Sequence, residues 1–234
     1  MSKLVVFNHK MSLLYEDLYN YIERVNNIET DNDIIICPSN IYLEAFVNNS
    51  VWPIGSQNMH YDTNYRHTGE VSTNQLKSLG IMYSLIGHYE RVRDFNENKI
   101  VVNEKLIAAL DANIMPILCF GEDIDDDYKE VLPKLIDAYL KDIVNIDFIV
   151  FAYEPVYAIS SGTTPSADRI KEVTSFISKY LEDKYKKKPT LIYGGGVNSS
   201  NIHDIMDIDT LSGVIIGDIS SDVNEAVKII NNLE

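Results

Sequence analysis

The chain has 234 residues, with Asp+Glu 35 against Lys+Arg 20 and a formal net charge of -15. Hydrophobic residues at 45% and charged residues at 24% describe a chain that can bury a core, which excludes disorder. The acidity argues against nucleic acid and anionic membranes as partners, and no apolar run reaches the roughly 18 residues of a membrane span.

In chain order, the opening MSKLVVFNHK has no secretory pattern, and its residues 4–7 form the first of eight short, continuous apolar runs. The others are 34–37, 51–55, 82–86, 115–119, 148–152, 190–193 and 214–216. Such runs are expected of strands buried on both faces. Amphipathic stretches lie between them. Helices are expected over 100–110, 131–143, 167–184 and 223–233. In the third of these, Ile170, Val173, Phe176, Ile177, Tyr180 and Leu181 share one face. Eight strands alternating with helices predict an α/β fold, a single (β/α)8 barrel over residues 1–234. A doubly wound open sheet is the alternative, although it normally uses fewer strands at this length. No linker or low-complexity tract divides the chain.

Cys37 and Cys119 end apolar runs and read as buried thiols in a reducing compartment, so a cytoplasmic protein is expected. The acidic run 122–127 reads as a solvated loop, and the lysine cluster 184–188 as the end of a helix, where cations suit the macrodipole. The longest connection without a regular pattern is 57–72, and long loops in compact domains are usually functional.

In a barrel, chemistry sits at the C-terminal ends of the strands. Asn8, His9 and Lys10 follow the first run, and Gly87-His88-Tyr89-Glu90-Arg91 the fourth. Tyr153-Glu154-Pro155 follows the sixth, Gly194-Gly195-Gly196 the seventh and Gly217-Asp218 the eighth. Each has an ordinary structural reading when taken alone. Their shared position, at the same end of successive strands, suits proton abstraction beside a carbonyl on a phosphorylated substrate. Glu154 precedes the apolar segment Pro155-Val156-Tyr157-Ala158-Ile159, and then Ser160-Ser161-Gly162. An apolar tip between a proline and a glycine reads as a lid whose closure would desolvate the carboxylate and raise its basicity. The three glycines before a helix expected near Ser199 or Ser200 suit an anion. There is no P-loop, no dinucleotide fingerprint and no metal-ligand spacing, so neither cofactor nor metal is expected.

Tyr153-Glu154-Pro155-Val156-Tyr157-Ala158-Ile159 resembles the lid segment of the triosephosphate isomerase family, commonly YEPVWAI. Ile86-Gly87-His88-Tyr89-Glu90-Arg91 resembles the family's IGHSER, and Asn8-His9-Lys10-Met11 its NWKM. Gln57-Asn58, Thr68-Gly69-Glu70, Cys119-Phe120-Gly121-Glu122 and Tyr193-Gly194-Gly195 also fall, in order, where the family has counterparts. The resemblance implies a glycolytic enzyme that interconverts dihydroxyacetone phosphate and glyceraldehyde 3-phosphate. It makes Glu154 the base, His88 the neutral electrophile, Lys10 the cation at the substrate oxygens and Asn8 its positioning partner. Glu90 becomes a carboxylate near Lys10. Backbone N–H groups of Ser160, Gly196, Gly217 and Asp218 become the phosphate site. Pro155, Val156, Tyr157, Ala158, Ile159 and Gly162 become the lid. Thr68 becomes the tip of a loop that enters a partner subunit, which implies a homodimer acting on a small phosphorylated sugar.

The sequence departs from the family at several of these positions. His9 replaces a tryptophan, which is expected to affect packing. Tyr89 and Gly196 each replace a serine, and Ser160 replaces a glycine. Pro165 stands at the far hinge of the lid. Asp218 replaces a glycine at the phosphate, so its carboxylate must point away from the anion, or favour a different substrate by displacing the phosphate or adding an acceptor, or cap a helix. Two further readings stay open: a sister isomerase for a four-carbon ketose phosphate, and a catalytically silent paralogue.

Overall fold

The computed structural model describes residues 2–63 and 66–233, and the side chain of Ser160 lies outside the described residues. The elements run β1 (Leu4–Asn8), α1 (Tyr15–Asn26), β2 (Asp33–Cys37), α2 (Leu43–Asn49), β3 (Gly55–Ser56), α3 (Thr73–Ser78), β4 (Tyr83–Ile86), α4 (Tyr89–Phe95) and α5 (Lys99–Asp111). They continue β5 (Met115–Phe120), α6 (Tyr128–Tyr139), β6 (Val150–Tyr153), α7 (Val156–Ser161), α8 (Ala167–Tyr185), β7 (Thr190–Gly194), α9 (Ile202–Met206), β8 (Gly213–Ile216) and α10 (Val223–Asn231).

Every strand pairing is parallel, in the order β2-β1-β8-β7-β6-β5-β4-β3. A parallel bridge between Ile36 and Ile54 joins β2 to the start of β3 and brings the sheet edges together. This is the expected (β/α)8 barrel. Strand alternation sorts the apolar residues into two cores. Val6, Ile35, Cys37, Leu85, Ile117, Cys119, Ala152, Ile192 and Ile215 fill the barrel interior. Val5, Phe7, Ile34, Ile36, Phe151 and Tyr193 face the surrounding helices. Both thiols are buried and free, as expected.

The third run differs from its expectation. Residues 51–55 do not form a strand; only Gly55–Ser56 does. Pro53 has no N–H for a ladder. Val51 and Trp52 turn away instead, with Val51 N donating to Asn26 Oδ1 (3.0 Å) and Trp52 Nε1 to the Val25 carbonyl (3.1 Å). The sixth helix starts earlier and ends earlier than 131–143, because Asp127 caps it and Asp142 turns left-handed at φ 63. The helix expected near Ser199 begins at Ile202. Among the described residues no helix is long and apolar enough to cross a membrane.

Candidate active site

Parity along the strands puts the chemistry at one mouth of the barrel. Asn8 lies two residues beyond Val6, and Glu154 two beyond Ala152, so both continue the inward-facing rows. Lys10, His88, Glu154, Ile159, Gly162, Gly196, Gly217 and Asp218 line one cavity of about 200 Å³. An adjoining cavity of about 300 Å³ takes in Asn8, Lys10, His88, Glu90 and the 69–71 segment. Larger apolar hollows, such as the one lined by Met82, Ile107, Val144 and Phe148, contain none of these groups.

Lys10 is held in the left-handed region at φ 48, a conformation that costs an ordinary residue on the order of 1 kcal/mol. Two amides fix it there. Lys10 N donates to Asn8 Oδ1 at 3.2 Å, and Gln57 Nε2 donates to the carbonyls of Lys10 (2.7 Å) and Cys37 (2.9 Å). The ammonium meets Glu90 Oε1 at 2.7 Å and Asp218 Oδ1 at 3.0 Å. Burial works against the charge, but these two carboxylates hold Lys10 above the usual lysine range.

His88 is buried and caps α4, its Nδ1 accepting from Glu90 N at 3.3 Å. A ring nitrogen that accepts a backbone N–H carries no proton, which leaves the proton of a neutral ring on Nε2. That Nε2 is 3.9 Å from Glu154 Oε1. Glu154 is 6% exposed, and its Oε2 is buried without a hydrogen-bond partner. Gly194 is what admits this side chain, because a Cβ there would lie 2.9 Å from Glu154 Cγ. Cys119 lies against Glu154, and burial pushes its thiol well above the usual range, so it stays protonated.

The lid segment forms helix α7 between Pro155 and Gly162. It is docked on the β7 turn, with Ala158 fully buried. Its start is tied down by Val156 N donating to the Glu122 carbonyl (2.9 Å). Beyond its end, Thr164 Oγ1 donates to the Gly196 carbonyl (2.8 Å), and Asn201 Nδ2 donates to the same oxygen (3.0 Å). Gly196 sits at φ +63, and a Cβ there would lie 2.5 Å from Thr164 Oγ1. A serine at this place, as in the family's pattern, would press its Cβ against the hinge.

Two expectations need correction. Glu122 is not part of a solvated loop. It is 1% exposed and accepts from Tyr153 Oη at 2.9 Å, with burial raising its carboxyl above the usual range. The Asp218 carboxylate caps no helix: it pairs with Lys10, and Asp222 caps α10. Tyr89 engages Arg93, whose Nη1 donates to its hydroxyl at 3.2 Å. Thr68 lies exposed in a turn, outside the cavity of its own chain. Sequence reasoning missed a buried support beside the site. Glu97 Oε1 accepts from Arg91 Nε (2.8 Å) and Lys105 Nζ (2.5 Å), and Lys105 also reaches Asn58 Oδ1 (2.7 Å). The one available signal was Lys105, a charge on a helix face shared with Val102, Leu106 and Ala109.

A carboxylate, an imidazole Nε2–H and an ammonium converge at the strand ends of an eight-stranded parallel barrel, and together these define a (β/α)8-barrel isomerase. The family model described as triosephosphate isomerase matches residues 3–233. The chain is 36% identical to the triosephosphate isomerase of Ehrlichia chaffeensis, over 98% of this chain and 96% of that one. It is 34% identical to that of Wolbachia sp. subsp. Brugia malayi, over 100% and 99%, and 34% identical to that of Finegoldia magna, over 97% of each. The chain belongs to the triosephosphate isomerase family.

Proposed function

We propose that this protein interconverts dihydroxyacetone phosphate and D-glyceraldehyde 3-phosphate by proton transfer through an enediolate. Glu154 removes a proton from the hydroxymethyl carbon, and the electron pair passes into the carbonyl to form the enediolate. The same carboxyl returns the proton to the neighbouring carbon, while the hydroxyl proton moves between the two oxygens by way of His88 Nε2. Lys10, positioned by Asn8 and Gln57, offsets the negative charge that develops on those oxygens. The N–H groups of Ser160, Gly196, Gly217 and Asp218 receive the phosphate, and the lid 155–162 excludes water, which would otherwise allow the enediolate to expel phosphate. The observation that carries this reading is the buried, uncommitted Glu154 Oε2, on a carboxylate whose other oxygen is 3.9 Å from His88 Nε2.

The whole chain acts as one barrel domain in the cytoplasm, and as a homodimer. Exposed Met11, Leu14, Tyr15, Ile41 and Phe95, on the segments around the second cavity, supply an apolar face for the partner, with Thr68 entering from the other subunit. Proton NMR of the triose phosphates in D2O tests the chemistry. Deuterium is expected at the exchanging carbon with the wild type and not with Glu154→Gln. Exchange that survives this substitution contradicts the assignment of the base.

A further inference from the structure

Among the described residues Lys10 is the one lysine or arginine lining the cavity that also holds Glu154, and its ammonium pairs with Glu90 and Asp218. Its ammonium has three protons to donate, and two are directed at carboxylates before any ligand arrives. These two carboxylates are held differently. Glu90 lies in the first turn of α4, with its backbone N–H on His88 Nδ1 and its side chain 36% exposed. Asp218 opens a single 3-10 turn after β8, caps no helix, and its side chain is 74% exposed. Rotating the largely exposed Asp218 side chain into water gives up its ion pair with Lys10.

We infer that the Asp218 carboxylate is the exchangeable counter-ion of Lys10, occupying the ammonium in the empty site and yielding it to the incoming oxyanion. This inference rests on the isomerase reading and adds a control on anion entry. The carboxylate and a substrate oxyanion compete for the same donor and repel each other across the turn that also carries the Gly217 and Asp218 N–H groups. Every anion that enters meets the same competitor. Asp218 therefore weakens inorganic phosphate and phosphorylated substrate by a common factor, and a ligand must offer groups to His88 and Asn8 as well as charge to be held. Both Lys10–carboxylate contacts suit this assignment, because Glu90 keeps the ammonium in place while Asp218 leaves.

The test compares wild type with Asp218→Asn, which keeps the backbone N–H and the shape but removes the charge. Glu23→Gln, an exposed change in the middle of α1, removes the same net charge far from Lys10. Inorganic phosphate is titrated by calorimetry, and KM and kcat are measured with glyceraldehyde 3-phosphate. For Asp218→Asn, the phosphate Kd is expected to fall by about two- to fivefold, as for loss of one largely exposed ion pair. KM should fall by a similar factor, with kcat moving less than KM. Glu23→Gln should move none of these. A phosphate Kd for Asp218→Asn that equals or exceeds the wild-type value overturns the inference, as does binding too weak to detect in both proteins. Calorimetry needs no turnover. A wild type that binds phosphate without isomerising the triose therefore contradicts the isomerase reading alone, while an active wild type with an unmoved Kd in the variant contradicts the counter-ion alone.

Discussion

Glu154 follows Ala152 by two residues on a strand whose inward row in the structure holds Val150 and Ala152, so the strand's alternation carries it into the barrel mouth, whereas in the sequence it was legible only as the carboxylate just after an apolar run. Its reach is set just as tightly. Shortening it to Asp withdraws the carboxylate by about one methylene, and Glu154→Asp is expected to lower kcat at least 100-fold in a steady-state assay, because the base no longer spans the distance. His9 shows what a sequence hides. The strand pattern turns it outward, where it packs edge-on against Tyr21 at 4.6 Å with neither ring nitrogen bonded. Burial pushes its pKa down to about 3, below the roughly 6.5 of an unfolded histidine. The unfolded chain then binds the extra proton throughout that window. Its contribution to stability is complete above about pH 6.5 and is lost as pH falls towards 3, with a slope of at most about 1.4 kcal/mol per pH unit. Urea unfolding of His9→Phe between pH 7 and 4 should show a flatter acid limb than the wild type. Equal slopes would mean that the ring is hydrated or paired.

At the scale of the element, the eight runs were readable because both faces of each strand are buried and leave no polar alternation. The exception, residues 51–55, shows the limit: a β-rich composition could not overcome Pro53 and the hydrogen bonds that turn Val51 and Trp52 outward. The lid was readable as an apolar segment between Pro155 and Gly162, but its short helix was not, because six residues carry too little periodicity. Its docking depends on contacts remote in sequence, those of Thr164 and Asn201 with the Gly196 carbonyl. Restoring the family's serine by Gly196→Ser should therefore harm this chain. A left-handed serine with its Cβ driven towards Thr164 is expected to cost about 1–3 kcal/mol, read as a lower urea midpoint with an unchanged slope. An unaltered midpoint would show that the hinge moves aside freely.

For the molecule as a whole, the net charge of -15 keeps copies apart at long range, so self-association must come from short-range apolar contact. In the proposed dimer the exposed Met11, Leu14, Tyr15 and Ile41 supply that face, and Met11→Glu is expected to shift sedimentation from twice the chain mass to one chain and to lower kcat with it. A wild type that sediments as a single chain contradicts the dimer. The residues that link the site into one machine were the least legible. Glu122 lay inside an acidic run and Asp218 read as a cap or a hazard. Both are decided by partners 31 and 208 positions away, Tyr153 and Lys10, which no local pattern reports. Such pairings become visible only once the barrel has closed. The central claim is that Glu154, His88 and Lys10 together run triose phosphate isomerisation. The most direct test is steady-state conversion of glyceraldehyde 3-phosphate, coupled to reduction of the dihydroxyacetone phosphate formed, with Glu154→Gln as the blank. The account predicts a kcat/KM of roughly 10⁶ M⁻¹s⁻¹ or more for the wild type. Activity no greater than that of the blank would contradict it.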